Sequence, residues 1–142
     1  MPAVVVDVKR IPEMAPAITE ASGWARVSAG TTMTSVLESD LMKRSFPALA
    51  EAARYVGSVQ IRNRATLAGN QCNASPAADT ATPLLVYGAV IVATGPGGER
   101  RIPLDEFFVR SGVTTLAAGE LVTAIELPLP SGAVRSAFQV TA

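Results

Sequence analysis

Residues 57–79 decide how this chain is read: Gly57-Ser-Val-Gln-Ile-Arg-Asn-Arg-Ala-Thr-Leu-Ala-Gly-Asn-Gln-Cys-Asn-Ala-Ser-Pro-Ala-Ala-Asp79. The stretch has neither helical periodicity nor sustained strand alternation, yet it lies between two well-patterned apolar segments. Long irregular segments inside compact domains are uncommon and usually functional. Gln60, Asn63, Thr66, Asn70, Gln71, Asn73 and Ser75 are neutral donors and acceptors, which suits an uncharged ligand rich in hydroxyls and amides. Within it, Thr66-Leu67-Ala68-Gly69-Asn70 reads as a small-residue turn where backbone N–H groups converge and a glycine admits a ligand close to the backbone. Amides so arranged bind phosphate or carbonyl oxygens. Asp79 stands at a predicted helix start, where it serves either as an N-cap or as an acceptor for ligand hydroxyls, while repelling phosphate. Arg62 and Arg64 read as solvated charges or as anion contacts, and Cys72 as a reactive thiol or a small buried residue.

Outward from this stretch the patterning is regular. Upstream, Pro47 opens a helix whose apolar face is Leu49, Ala52, Ala53 and Val56, closed by Gly57. Thr31, Thr32 and Thr34 offer N-caps for a short helix through Glu38, and Ser39-Asp40 offers another for Leu41 to Arg44. Ala17 to Ala21 and Trp24 to Ala29 flank Ser22-Gly23 as a tight hairpin, and the β-branched run Val4 to Val8 predicts a strand ended by Pro12. Downstream, Asp79 or Thr80 caps a predicted helix through Tyr87, followed by a hairpin over Ala89–Thr94 and Glu99–Ile102. Pro103 to Phe108 predicts one helical turn, Glu120 to Leu127 a strand, and Ala133 to Val140 a last strand. Hairpins with segregated helices and no βαβ rhythm predict an α+β fold, an antiparallel β-sheet with flanking helices.

Composition narrows the function. The 142 residues fit a single domain over residues 1–142 with a real core. Twelve basic and twelve acidic residues balance, which argues against nucleic acid or an anionic membrane as partner. There is no histidine, which removes the usual general base and the commonest metal ligand. The lone Cys72 closes no internal disulfide. Val4-Val5-Val6 is too short to be a spanning segment and Gly88 interrupts the apolar run Pro83 to Ala93, so the expectation is a cytoplasmic protein.

The string Gln60 to Asp79 resembles the signature of the FAD-binding subunit of molybdenum hydroxylases, the family of xanthine dehydrogenases and aerobic carbon monoxide dehydrogenases with a PCMH-type FAD-binding fold. Residues 4–13, Phe46 to Ala53, Gly98 to Phe108 and Gly119 to Pro128 extend the resemblance over nearly the whole chain. It implies that FAD is the cofactor, lined by Thr66, Leu67, Ala68, Gly69 and Asn70, hydrogen-bonded by Asp79 and touched by the apolar Val122. It further implies electrons arriving from iron–sulfur clusters on a small subunit, after a molybdopterin-binding large subunit, and leaving to NAD or another acceptor. In such a scheme the protein positions and tunes the flavin, with no catalytic side chain and no metal of its own.

Three departures qualify what the resemblance implies. The family holds the FAD pyrophosphate on a glycine-rich loop ahead of the strand at which this sequence starts. Ala68 stands where the family pattern has glycine, at a cost on the order of 1 kcal/mol if that backbone needs positive φ. Gln139 and Val140 stand where the family supplies a lysine near the flavin. The expectation is therefore the second subdomain of a flavin subunit, truncated at both ends, that binds FAD weakly or not at all alone. The alternative is a non-catalytic remnant or assembly module that docks with other subunits. Apolar surface left where neighbouring subdomains would pack predicts possible homo-oligomers.

Overall fold

The computed structural model describes residues 3–140. Two hairpins supply four of five strands in one antiparallel sheet. Strands β1 (Ile18–Ala21) and β2 (Trp24–Ser28) turn through Ser22 (φ 51) and Gly23 (φ 80), the paired positive φ of a tight hairpin turn. Strands β3 (Val90–Gly95) and β4 (Gly98–Pro103) form the second hairpin. The late strand β7 (Leu121–Pro128) enters between them, so the spatial order is β1-β2-β7-β3-β4. A separate two-stranded ribbon, β5 (Phe108–Arg110) with β6 (Val113–Thr114), has no clear sequence signal because each strand is too short to alternate.

The helices are all short: α1 (Met33–Glu38), α2 (Asp40–Ser45), α3 (Pro47–Tyr55), α4 (Val59–Arg62), α5 (Leu67–Cys72), α6 (Ala81–Val86) and α7 (Leu104–Phe107). None is long enough to persist alone, so caps and packing hold them. Thr32, Ser39, Ser58 and Thr66 each accept a hydrogen bond from the backbone N–H three residues on, at 3.2, 3.3, 3.3 and 3.0 Å. The helices cover one face of the sheet. Phe46, Leu49, Met33, Leu67, Leu84 and Phe107 meet Ala25, Val27, Ile91, Ile125 and Leu127 there in one buried cluster.

Several expectations need correction. The central stretch is not irregular throughout, since Ser58 and Thr66 start the short helices α4 and α5 within it. Val4 to Val8 forms no strand: Val4, Val5 and Val6 are exposed, and a 3-10 turn follows at Val8–Arg10. A β-branched run becomes a strand only against a neighbouring edge, and none lies beside it. Ala133 to Val140 forms no strand either. That segment lies along α3, with Phe138 tilted against Tyr55 at 5.6 Å between ring centroids and Ser136 Oγ accepting from the Ala48 N–H at 3.2 Å. Thr80 precedes α6, but neither it nor Asp79 makes a side-chain cap. No helix among the described residues is long and apolar enough to cross a membrane.

Candidate functional site

The site begins with how α5 is seated. Residues 65–67 run antiparallel to 31–33: the Met33 N–H donates to Ala65 O at 2.9 Å and the Leu67 N–H to Thr31 O at 3.1 Å, around a bridge between Thr32 and Thr66. Thr66 then caps the helix by accepting from the Gly69 N–H at 3.0 Å. A Cβ at position 69 would stand 2.9 Å from that same Thr66 Oγ1, so glycine keeps the cap undisturbed. The Leu67, Gly69 and Asn70 amides all have acceptors, whereas the Ala68 N–H meets none among the described residues. Ala68 itself has no positive φ and its methyl is buried, so the strain anticipated for alanine in place of glycine is not incurred.

Beside this helix start is a cleft of about 160 Å³. Thr66, Ala68, Gly69 and Cys72 form one wall, Ala29 and Gly30 just after β2 another, Leu121 and Val122 at the start of β7 a third, and Val8, Lys9 and Met14 the remaining side. Gly30 is required by close approach. Its N–H donates to Met14 O at 3.0 Å, and a Cβ there would fall 2.1 Å from that carbonyl oxygen. Lys9 supplies the charge in the lining, its Nζ donating to Arg64 O at 2.8 Å. Cys72 is solvent-exposed on one side, while burial on the other pushes its thiol pKa up.

Val122 reaches the cleft because β7 is bulged. Val92 pairs with Ala124 but Ala93 pairs with Val122, so Thr123 is the extra residue. Cross-strand partners share a face; Ala93 and Val122 belong to the core cluster, Val92 and Ala124 do not. Without the bulge the period-two alternation would put Val122 on the other side of the sheet. The loop before it is clipped by Glu120, whose carboxylate accepts from Arg100 Nε at 2.7 Å and Nη2 at 2.9 Å and from the Ala117 N–H at 2.6 Å. Chiefly the Arg100 hydrogen bond, then the Ala117 amide, lowers the Glu120 pKa to about 2.

Of the residues singled out from the sequence, Thr66, Ala68, Gly69 and Val122 come together here. Leu67 does not; it is wholly buried in the core and holds α5 from behind. Asn70 is half-buried with its side chain turned to Thr80 and Gln71, and Asp79 is half-buried with no side-chain hydrogen bond or ion pair among the described residues, outside the cleft lining. Arg62 donates to Val56 O and Gly57 O at 3.3 and 2.9 Å, closing the end of α3. Gly30, Met14 and Lys9 escaped the sequence reading because they meet the site across long stretches of chain. An apolar strip beside an acceptor-free amide and an ammonium group fits part of a dinucleotide: a planar ring on the strip, an anion near the donors. A drug-sized ligand usually needs a pocket of roughly 300 Å³ or more, so this cleft accounts for only part of such a ligand.

Comparison with known proteins gives this wall its context. The FAD binding domain in molybdopterin dehydrogenase, as a family, matches residues 1–130. The xanthine dehydrogenase FAD-binding subunit of Escherichia coli O157:H7 is 35% identical over 124 residues, which are 87% of this chain and 42% of that protein. A carbon monoxide dehydrogenase from Hydrogenophaga pseudoflava, solved without the Mo-pyranopterin moiety of its molybdenum cofactor, superposes with a TM-score of 0.84 at 31% identity, covering 88% of this chain and 43% of that one. Quinoline 2-oxidoreductase from Pseudomonas putida 86 superposes with a TM-score of 0.86 at 25% identity, covering 92% of this chain and 46% of that one. The chain spans less than half the length of each of these relatives. The α+β sheet with its flanking helices agrees with these neighbours, and the match over residues 1–130 establishes that this chain belongs to the FAD-binding domain family of the molybdopterin dehydrogenases.

Proposed function

We propose that this chain forms one wall of an FAD site in a molybdopterin-dependent dehydrogenase, working with a molybdopterin-binding large subunit and an iron–sulfur small subunit on other chains. The observation that carries this reading is the convergence of Thr66, Ala68, Gly69 and Val122 on one cleft, although 52 residues or more separate Val122 from the others. FAD held there would supply the redox chemistry of the assembly, the relay of electrons from iron–sulfur clusters to an acceptor. The chain's own part is to bind and orient: the Ala68 N–H and Lys9 Nζ offer donors, Val122 and Leu121 an apolar seat, and Thr66 keeps the helix start rigid. Asp79 is assigned a hydroxyl of the cofactor beyond the cleft, and Leu67 and Asn70 complete the α5 side. The related proteins are named for xanthine, carbon monoxide and quinoline, so substrate choice is assigned elsewhere in the assembly.

The test is titration of the full chain with FAD, followed by flavin fluorescence and thermal shift. Because the cleft covers only part of the cofactor, the expected result is weak saturable binding, at about 0.1 mM, that Asp79→Ala weakens further. No saturation up to millimolar FAD would overturn the reading for this chain. A second reading is an assembly module that docks without electron transfer, and it draws on apolar side chains left exposed, notably Val86 at 76% and Val109 at 60%. It predicts association without FAD, self-association included; a clean monomer by light scattering counts against the latter.

A further inference from the structure

Behind α5 lies a neutral polar cluster that the cleft itself does not use. Thr80 and Gln71 are fully buried, and Asn70 is half-buried above them. Thr80 Oγ1 donates to Asn70 Oδ1 at 2.6 Å, Gln71 Nε2 donates to Thr80 Oγ1 at 2.8 Å and to the same Asn70 Oδ1 at 3.3 Å. Both acceptor sites of the Asn70 oxygen are thereby taken from inside the protein. Its Nδ2 group, with two protons, meets no acceptor among the described residues. Gln71 Oε1 is buried without a partner, the mark of a polar side chain kept for something other than stability.

We infer that Thr80 is a positioning residue that holds the Asn70 amide with its N–H donors outward and fixes the neighbouring Asp79, setting both ends of the α5 side of the site at once. The inference rests on the flavin-site reading above, and it names what that reading lacks: Asn70 and Asp79 are ten and one residues from Thr80, whose buried hydroxyl bonds the Asn70 oxygen and whose own peptide joins it to Asp79. Turning both amides over gives a second self-consistent network in which Asn70 would present its oxygen outward. That arrangement leaves two buried Gln71 N–H donors unpaired in place of one carbonyl oxygen, which is the costlier defect. The group Asn70 keeps free is therefore a donor, which would select for acceptor atoms in a ligand reaching past the cleft: a phosphate oxygen, a ribose oxygen or a ring carbonyl. The link from Thr80 to Asp79 needs no side-chain bond from Asp79 itself. The peptide between them is enough, because burial of the Thr80 side chain fixes the backbone at that point.

The experiment compares FAD titrations of the full chain with those of Thr80→Val, Thr80→Ser and Gln71→Met, each with its melting temperature, and follows the Asn70 side-chain amide by NMR. Thr80→Val keeps the shape and deletes the hydroxyl; the expected result is FAD binding about tenfold weaker, with Thr80→Ser within twofold of the wild type. Gln71→Met removes the orphaned oxygen at similar volume, so melting temperature holds or rises while FAD binding weakens. A purely structural role would move stability and binding together. Wild-type affinity in Thr80→Val, or equal loss in Thr80→Ser, overturns the inference. If the wild-type chain itself fails to bind FAD, the flavin-site reading falls first and the Asn70 amide then decides separately. A single side-chain rotamer that becomes averaged in Thr80→Val supports the positioning role, and an unchanged rotamer overturns it.

Discussion

The two ends of β7 face different environments and are stabilised by opposite means. At its start Val122 looks into the cleft, among backbone groups, glycines and neutral polar atoms. Near its end Glu126, almost fully buried, lies on the far face of the sheet between Arg26 Nη1 at 2.6 Å and Arg101 Nη1 at 2.8 Å, the latter contact an ion pair without hydrogen-bond alignment. The Arg101 guanidinium also sits 4.8 Å from the centre of the Trp24 ring. On that face charges meet charges and leave little to offer a ligand. In the cleft, by contrast, the Ala68 amide has no acceptor among the described residues, Lys9 Nζ keeps protons beyond the one given to Arg64 O, and an apolar strip lies open. A surface that satisfies itself is structural; one that leaves groups of matched chemistry unsatisfied is prepared for something else.

Substitutions on the two faces should separate those roles. The largest effect is expected from Gly30→Ala, whose methyl would fall on the Met14 carbonyl. The loop carrying Met14 must move, costing about 3 kcal/mol of stability and, because that loop is a cleft wall, abolishing FAD binding. Chemical denaturation with FAD titration checks both, and a stable variant with an intact site would remove close approach from the account of the cleft. Glu126→Gln should be milder. Arg26 and Arg101 are 40% and 50% exposed and find water when their partner is neutralised, so a loss of roughly 1 kcal/mol is expected, with FAD affinity unchanged. A large drop in FAD affinity here would show that the two faces are coupled through β7.

The smallest effect belongs to Glu120, which clips the loop leading into the cleft. Its carboxyl titrates at about 2 in the folded protein against an ordinary 4.5, so the unfolded chain takes up the proton first. The clip's contribution is fully present above pH 4.5 and is lost as pH falls towards 2. Thermal melts from pH 6 down to 2 should show that slope in the wild type and a shallower one in Glu120→Gln. Identical slopes would mean that the Arg100 contact is not retained in solution.

What the sequence made legible was whatever is settled locally. Both hairpins, the caps Thr32 and Ser39, and Pro47 at the start of α3 depend on residues within a few positions of one another, and all stand as read. Helices α4 and α5 were missed because four and six residues are too few for periodicity, although Ser58 and Thr66 mark their starts. The valines at 4–6 and the segment 133–140 have strand character without an edge to pair with, and strand propensity cannot show whether an edge exists. Thr66 to Asn70 stood out by pattern as a small-residue turn, whereas Val122 was singled out only through family resemblance. The turn of Val122 into the cleft depends on an extra residue in β7, visible only once the register with β3 is known.

The place of β7 also bears on how this chain folds as it is synthesised. The β1–β2 and β3–β4 hairpins can form early, but neither pairs with the other; only residues 121–128 join them. Until that strand emerges from the ribosome, the inner edges of both hairpins are open and Leu121 and Val122 have not reached the cleft. The latest of the five strands in chain order is thus the one that closes the sheet. Any nascent chain arrested before residue 121 carries two unpaired edges and an incomplete cleft, which makes it a natural client for chaperones.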